Sequence, residues 1–123
     1  MTNKKNILVI DDEKTIRTLL KINLERAGYN VLTSSNGLDA LSLLEDPPNL
    51  IIIDWMLPLL NGIDFTKKIK NDLSTKDIPI IMLTAKSLDN DVLKAWENGI
   101  DCYISKPFNP MELLYFVKKL LET

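Results

Sequence analysis

Five short apolar runs punctuate the chain, and each is followed by a stretch of helical spacing. The clearest run is Leu50-Ile51-Ile52-Ile53, which leads straight into Asp54. Consecutive large apolar residues over so short a length suit a strand buried on both faces, as in a parallel sheet. Ile7-Leu8-Val9-Ile10 is a second such run. Residues 29–33 and 79–83 give two more strands, and Tyr103-Ile104 centres a short fifth. Between them, residues 14–27 carry Ile16, Leu19, Leu20, Leu24 and Ala27 at helical spacing, with Gly28 placed to end the helix. The turn Ser34-Ser35-Asn36-Gly37 can cap a second helix, whose apolar face is Leu38, Leu41 and Leu44 or Leu43 and which stops at Pro47-Pro48. A third helix over residues 63–73 buries Phe65, Ile69 and Leu73. The fourth, over 88–98, carries Leu88, Val92, Ala95 and Trp96 on one side and ends at Gly99. The last begins near Pro110 and presents Leu113, Phe116, Val117, Leu120 and Leu121.

Strand and helix thus alternate five times with short connections. That pattern predicts an α/β fold: one doubly wound, five-stranded parallel sheet of flavodoxin-like order 2-1-3-4-5, with helices on both faces. A barrel would need about 250 residues, and this chain has 123. All 123 are read as one domain.

Composition narrows the function. A net charge of −2 is not the basic footprint of a nucleic-acid binder. No apolar run approaches the ~20 residues of a membrane span, and no signal-peptide core follows the first residues. The single cysteine, Cys102, excludes an internal disulfide and fits a reducing, cytoplasmic setting. The chain has no histidine, which excludes His-ligated metals and Ser-His catalysis.

Parallel strands point their carboxyl ends the same way, toward the crevice where open α/β sheets hold ligands. The residues arriving there are Asp11 and Asp12, Asp54, Thr84 and Lys106. Each alone has an ordinary reading: a strand-terminal Asp caps a turn or helix, and a loop Thr or Lys is solvated. Together they place three carboxylates, a hydroxyl and an ammonium on one rim. Clustered carboxylates repel one another and call for a cation. Hard oxygen donors favour Mg²⁺, which takes one or two protein carboxylates plus phosphate oxygens. One carboxylate would remain as a nucleophile on phosphorus, with the ammonium and hydroxyl neutralising phosphoryl charge.

At this point the sequence resembles the receiver domain of bacterial two-component response regulators. The motifs are Asp11-Asp12, Asp54-Trp55-Met56-Leu57-Pro58 with Asn61-Gly62, Thr84-Ala85, Gly99-Ile100-Asp101 and Tyr103-Ile104-Ser105-Lys106-Pro107-Phe108. They cover essentially the whole chain and look most like the OmpR/PhoB type. The resemblance implies a CheY-like fold and a regulatory domain that is not an enzyme on other substrates. It implies Asp54 as phosphoacceptor, with a sensor histidine kinase or phosphotransfer protein as donor. Asp12 and Asp54 would hold Mg²⁺ (or another divalent cation) by side chains and Met56 by its carbonyl, with Asp11 acting through water. Thr84 and Lys106 would bind the phosphoryl group, Tyr103 would switch with Thr84, and Lys106-Pro107 would be cis. The face of the fourth helix, fifth strand and fifth helix would control an output domain or target protein, or form a homodimer.

Several residues have competing readings. Glu13 can ligand a metal or simply cap the first helix, and the cap is preferred. By position alone Tyr103 is core. Trp55 is a partly buried neighbour of the site. Met56 and Lys86 are expected to flank the path of water to the phosphate. Cys102, Met111, Phe116 and Trp96 make the partner face more apolar and less charge-paired than the family pattern. Two rivals fit less well. A phosphatase would need a substrate cap, and a flavodoxin-like cofactor binder would need a phosphate cradle where Asp11-Asp12-Glu13 stands. A docking module that works unphosphorylated is left open.

Overall fold

The structure, a computed structural model, describes residues 4–85 and 89–122. In chain order it contains β1 (Asn6–Ile10), α1 (Lys14–Arg26), β2 (Asn30–Ser34), α2 (Gly37–Leu41), a 3₁₀ turn (Ser42–Glu45) and β3 (Leu50–Asp54). There follow α3 (Gly62–Lys70), β4 (Ile80–Thr84), α4 (Asp89–Glu97), β5 (Cys102–Ser105) and α5 (Pro110–Leu121). All strand pairs are parallel and the order is β2-β1-β3-β4-β5, as the alternation predicts.

The strand runs divide by parity, because successive side chains leave a strand on opposite faces. Leu8, Ile10, Ile51, Ile53, Ile80 and Met82 pack with Ala40, Phe65, Ile69 and Ala95, under α2, α3 and α4. Ile7, Val9, Leu50, Ile52, Ile81 and Leu83 pack with Leu20, Leu24, Leu113, Val117 and Leu121, under α1 and α5. Burial on both faces explains the unbroken apolar runs.

The helix faces need four corrections. Leu19 and Ala27 are exposed, since α1 meets the sheet through Leu20 and Leu24, one helical turn apart. Leu38 is exposed, because the short α2 turns Gly37 and Ala40 inward instead. Leu73 is 85% exposed. It lies past the end of α3, in a turn where Asp72 accepts bonds from the Ser74 N–H and hydroxyl. Trp96 is exposed while Ala95 beside it is buried. Leu88 and the Val92 side chain lie outside the described residues.

Candidate functional site

The carboxyl edge of the sheet brings the predicted residues to one place. Asp11 is the first residue past β1, and its N–H donates to the Ser34 carbonyl at 3.1 Å. Asp54 and Thr84 are the last residues of their own strands. Lys106 follows β5, with its N–H donating to the Thr84 carbonyl at 2.9 Å. These main-chain bonds fix the base of each side chain.

From there the side chains converge. The Lys106 Nζ donates to Asp11 Oδ2 at 2.8 Å and to Asp54 Oδ2 at 3.1 Å, and lies 3.5 Å from Glu13 Oε1. Asp11 and Asp54 are almost wholly buried, at 1% and 5% exposure, whereas Asp12 and Glu13 stand in solvent. Carboxylate oxygens of all four acids lie within 4.8 Å of one another. The second oxygen of each buried acid is also bound: Asp11 Oδ1 by the Glu13 N–H and Asp54 Oδ1 by the Met56 N–H. Arg17 reaches back to the Asp11 carbonyl at 2.8 Å.

Burial pushes the Asp54 carboxyl up and the Asp11 charge adds to this, so the Lys106 and Met56 bonds only partly restore it. Lys106 shows the opposite balance. Burial pulls its ammonium down, but the bonds and charges of Asp11 and Asp54 outweigh that and hold it above its ordinary value. The ammonium is therefore a fixed counter-ion in a pocket that remains short of positive charge. Beside it, Asp12, Trp55, Met56, Leu57, Pro58 and Asn61 line an open cleft of about 490 Å³. A larger groove of about 810 Å³, between the 3₁₀ turn and the end of α3, lies away from this cluster.

The response regulator receiver domain, as a family, matches residues 7–118. The chain belongs to that family. It is 45% identical over 118 residues to the phosphate regulon transcriptional regulatory protein PhoB of Pseudomonas aeruginosa, covering 95% of this chain and 52% of that one. It is 47% identical to the alkaline phosphatase synthesis transcriptional regulatory protein PhoP of Bacillus subtilis, covering 95% and 48%. This receiver domain thus spans about half the length of those curated relatives. Among solved structures, the receiver domain of the sensor histidine kinase PA1611 superposes with a TM-score of 0.89 at 28% identity, covering 98% of this chain and all of that one. That neighbour, from Pseudomonas aeruginosa PAO1, has a magnesium ion coordinated in its active-site cleft. The role of this chain is accordingly that of a regulatory domain in two-component signalling.

The receiver's other predicted residues fall as follows. Thr84 is completely buried, in register with Ser105 of the next strand. Tyr103 is half-buried against the core under α2, α3 and α4, and pairs with Met82. The Met56 side chain is 60% exposed over the cleft, while Lys86 lies outside the described residues. Lys106-Pro107 is cis. Trp55 is more deeply buried than expected, at 8% exposure.

Glu13 occupies the N-cap position of α1, yet its side chain makes no capping bond. Its carboxylate also lies in the acidic group, so the N-terminal position on α1 and the ligand reading meet in one residue. Arg17 was missed as a support for Asp11. Its bond runs to a main-chain carbonyl six residues back, which no side-chain spacing signals. Cys102 is buried, and its thiol is pushed up to about 11 by burial and by the Glu112 and Asp101 charges, so it is inert.

Proposed function

We propose that this receiver is a phosphorylation switch whose acceptor is Asp54. The convergence of Asp11, Asp54 and Lys106 Nζ within hydrogen-bond distance supports this reading most strongly. The donor set also suits Mg²⁺. It offers hard carboxylate oxygens, two of them on solvent-facing acids, and excess negative charge at an open cleft. Asp12 and Asp54 would hold the ion by side chains and Met56 by its carbonyl, with Asp11 acting through water. The ion would supply charge neutralisation for an in-line transfer.

The remaining work falls to the chain. A phosphohistidine on a sensor kinase or phosphotransfer protein presents its phosphorus to an Asp54 oxygen. The P–O bond forms as the P–N bond breaks, and the electron pair returns to the imidazole. Lys106 and the Thr84 hydroxyl bind phosphoryl oxygens. Thr84 is buried beside β5, so its movement opens space that Tyr103 fills, and the surface around β5 changes. The exposed Met56 side chain covers the water approach and slows hydrolysis. The domain binds no nucleic acid itself, works in the cytoplasm, and covers residues 1–123. Incubation with acetyl phosphate and Mg²⁺ is expected to add one phosphoryl group by intact mass, and chelation to prevent it. An unmodified wild type, or an adduct indifferent to Mg²⁺, overturns the reading.

The output side is the face around β5, an edge strand flanked by α4 and α5. Leu93 and Trp96 on α4 and Met111 and Tyr115 on α5 are exposed at 57%, 47%, 79% and 55%. Phe116 is half-buried against the core and contributes less than its position implied. Exposed large side chains of this kind favour a second copy joined by apolar contact, besides any output domain or target protein. Sedimentation with a beryllofluoride phosphoryl mimic is expected to show a dimer that Trp96→Glu abolishes. A monomer at high concentration in both states removes the dimer.

A further inference from the structure

The loop between β3 and α3 carries Met56, whose carbonyl is proposed above as a cation ligand, and it is held in an unusual shape. Leu59 has φ +70°, left-handed backbone that a side chain as large as leucine rarely adopts. The Leu60 N–H donates to the Pro58 carbonyl at 2.8 Å, closing a three-residue turn around Leu59. Leu59 is 76% exposed, so burial of its own side chain does not hold it there. Something else must over-determine the turn.

Two contacts do so. The Trp55 carbonyl accepts from both Leu57 N–H at 3.2 Å and Gly62 N–H at 3.0 Å, tying the loop's two ends together. The middle of the loop rests on α2. A β carbon on Gly37 would lie 2.5 Å from the Leu60 carbonyl oxygen and 3.1 Å from the Leu60 Cβ. The Leu60 peptide is thus seated directly on the Gly37 backbone, a place where no other residue fits without moving main chain. Nothing in the Asp54-centred chemistry calls for Gly37, and α2 contributes no group to the acidic cluster.

We propose that Gly37 is a positioning residue for the cation site. By seating the Leu60 carbonyl it holds the strained turn at Leu59, and through the closed loop it fixes where the Met56 carbonyl points. The inference rests on the Mg²⁺ reading above. Strain released by any displacement at Gly37 would be spent in the segment that supplies one of the metal's ligands.

The test is Gly37→Ala in the full chain, read two ways. Mg²⁺ is titrated by Trp55-region fluorescence, and amide hydrogen exchange is followed without metal. Mg²⁺ binding is expected to weaken about tenfold, the scale of an outer-shell effect on a metal site. The Gly62 amide should exchange faster while the β1 and β3 amides keep their protection, which shows that the fold is intact. Leu60→Ala keeps the atoms seated on Gly37 but removes the side chain that packs Leu60 against the core, and should move both readouts the same way, by less. Unchanged Gly62 exchange in both variants overturns the seat. Faster exchange with wild-type Mg²⁺ affinity overturns its link to the cation. A wild type blind to Mg²⁺ overturns the metal reading instead, and exchange alone then decides whether Gly37 holds the loop.

Discussion

Asp54→Ala is expected to remain wholly unmodified under conditions that load the wild type with one phosphoryl group. No neighbouring acid is expected to substitute. Asp12 stands out in solvent, and Asp11, as deeply buried as Asp54, is tied to the Glu13 N–H rather than to the loop after β3 that lines the cleft. Asp54 is buried, bonded to the Lys106 ammonium, and bonded to the N–H of Met56, which lines the cleft. Intact mass after acetyl phosphate treatment checks this, and an equal adduct on the variant would move the acceptor elsewhere. Stability gives a second reading. Burial and the Asp11 charge hold the folded carboxyl above its unfolded value. The native state then binds more protons than the unfolded one across that window, so this group's contribution to stability falls as pH rises through it. At neutral pH without metal, ionised Asp54 is a liability that Asp54→Asn removes. The Asn variant should therefore melt no lower than wild type at pH 7, and the difference between them should shrink in acid.

How much of this was legible in the sequence depended on how locally each feature is encoded. Ile51-Ile52-Ile53-Asp54 carries its own reading: burial on both faces, then an acid where burial ends. The parallel order follows from alternation, and with it the shared rim of Asp11, Asp54, Thr84 and Lys106. Contacts decided by exact rotation were not legible. Leu19 and Leu20 look alike in a periodic pattern, yet a single residue's rotation sends one outward and the other into the core. Leu73 was misplaced because α3 stops at Lys70, and the stop is made by side chains of the following turn. Glu13 was read by its position on α1, but the charge of Lys106, 93 residues away, is what it meets. Gly37 was legible only as a turn residue. Its contact with the Leu60 backbone joins the start of α2 to the loop after β3, which no spacing rule connects.

Lys106→Met is expected to lower the metal-free melting temperature by roughly 5 °C at pH 7 while tightening Mg²⁺ binding. The stem of the side chain is conserved in length, so the change isolates the charge. In the wild type one ammonium sits 2.8 Å from Asp11 and 3.1 Å from Asp54, both nearly inaccessible to water. Removing it leaves two buried carboxylates facing each other. Breaking a fully buried pair costs about 3 to 5 kcal/mol, but the cleft is open and Glu13 and Asp12 keep water at its mouth, so about 1 to 2 kcal/mol is the discounted expectation. The same ammonium opposes a divalent cation, so its loss should improve Mg²⁺ affinity, and saturating Mg²⁺ should restore the melting temperature. The pH dependence fixes the sign. The destabilisation is carried by ionised carboxylates, so it must fade as pH falls through the raised Asp54 range and be fully developed above it. Calorimetry at neutral and acid pH, with and without Mg²⁺, measures all three effects. Phosphorylation separates the roles further: the variant should still bind the ion, yet lack the phosphoryl contact proposed for Lys106. A variant that melts like wild type without metal would show that Asp11 and Asp54 do not depend on Lys106 as their counter-ion.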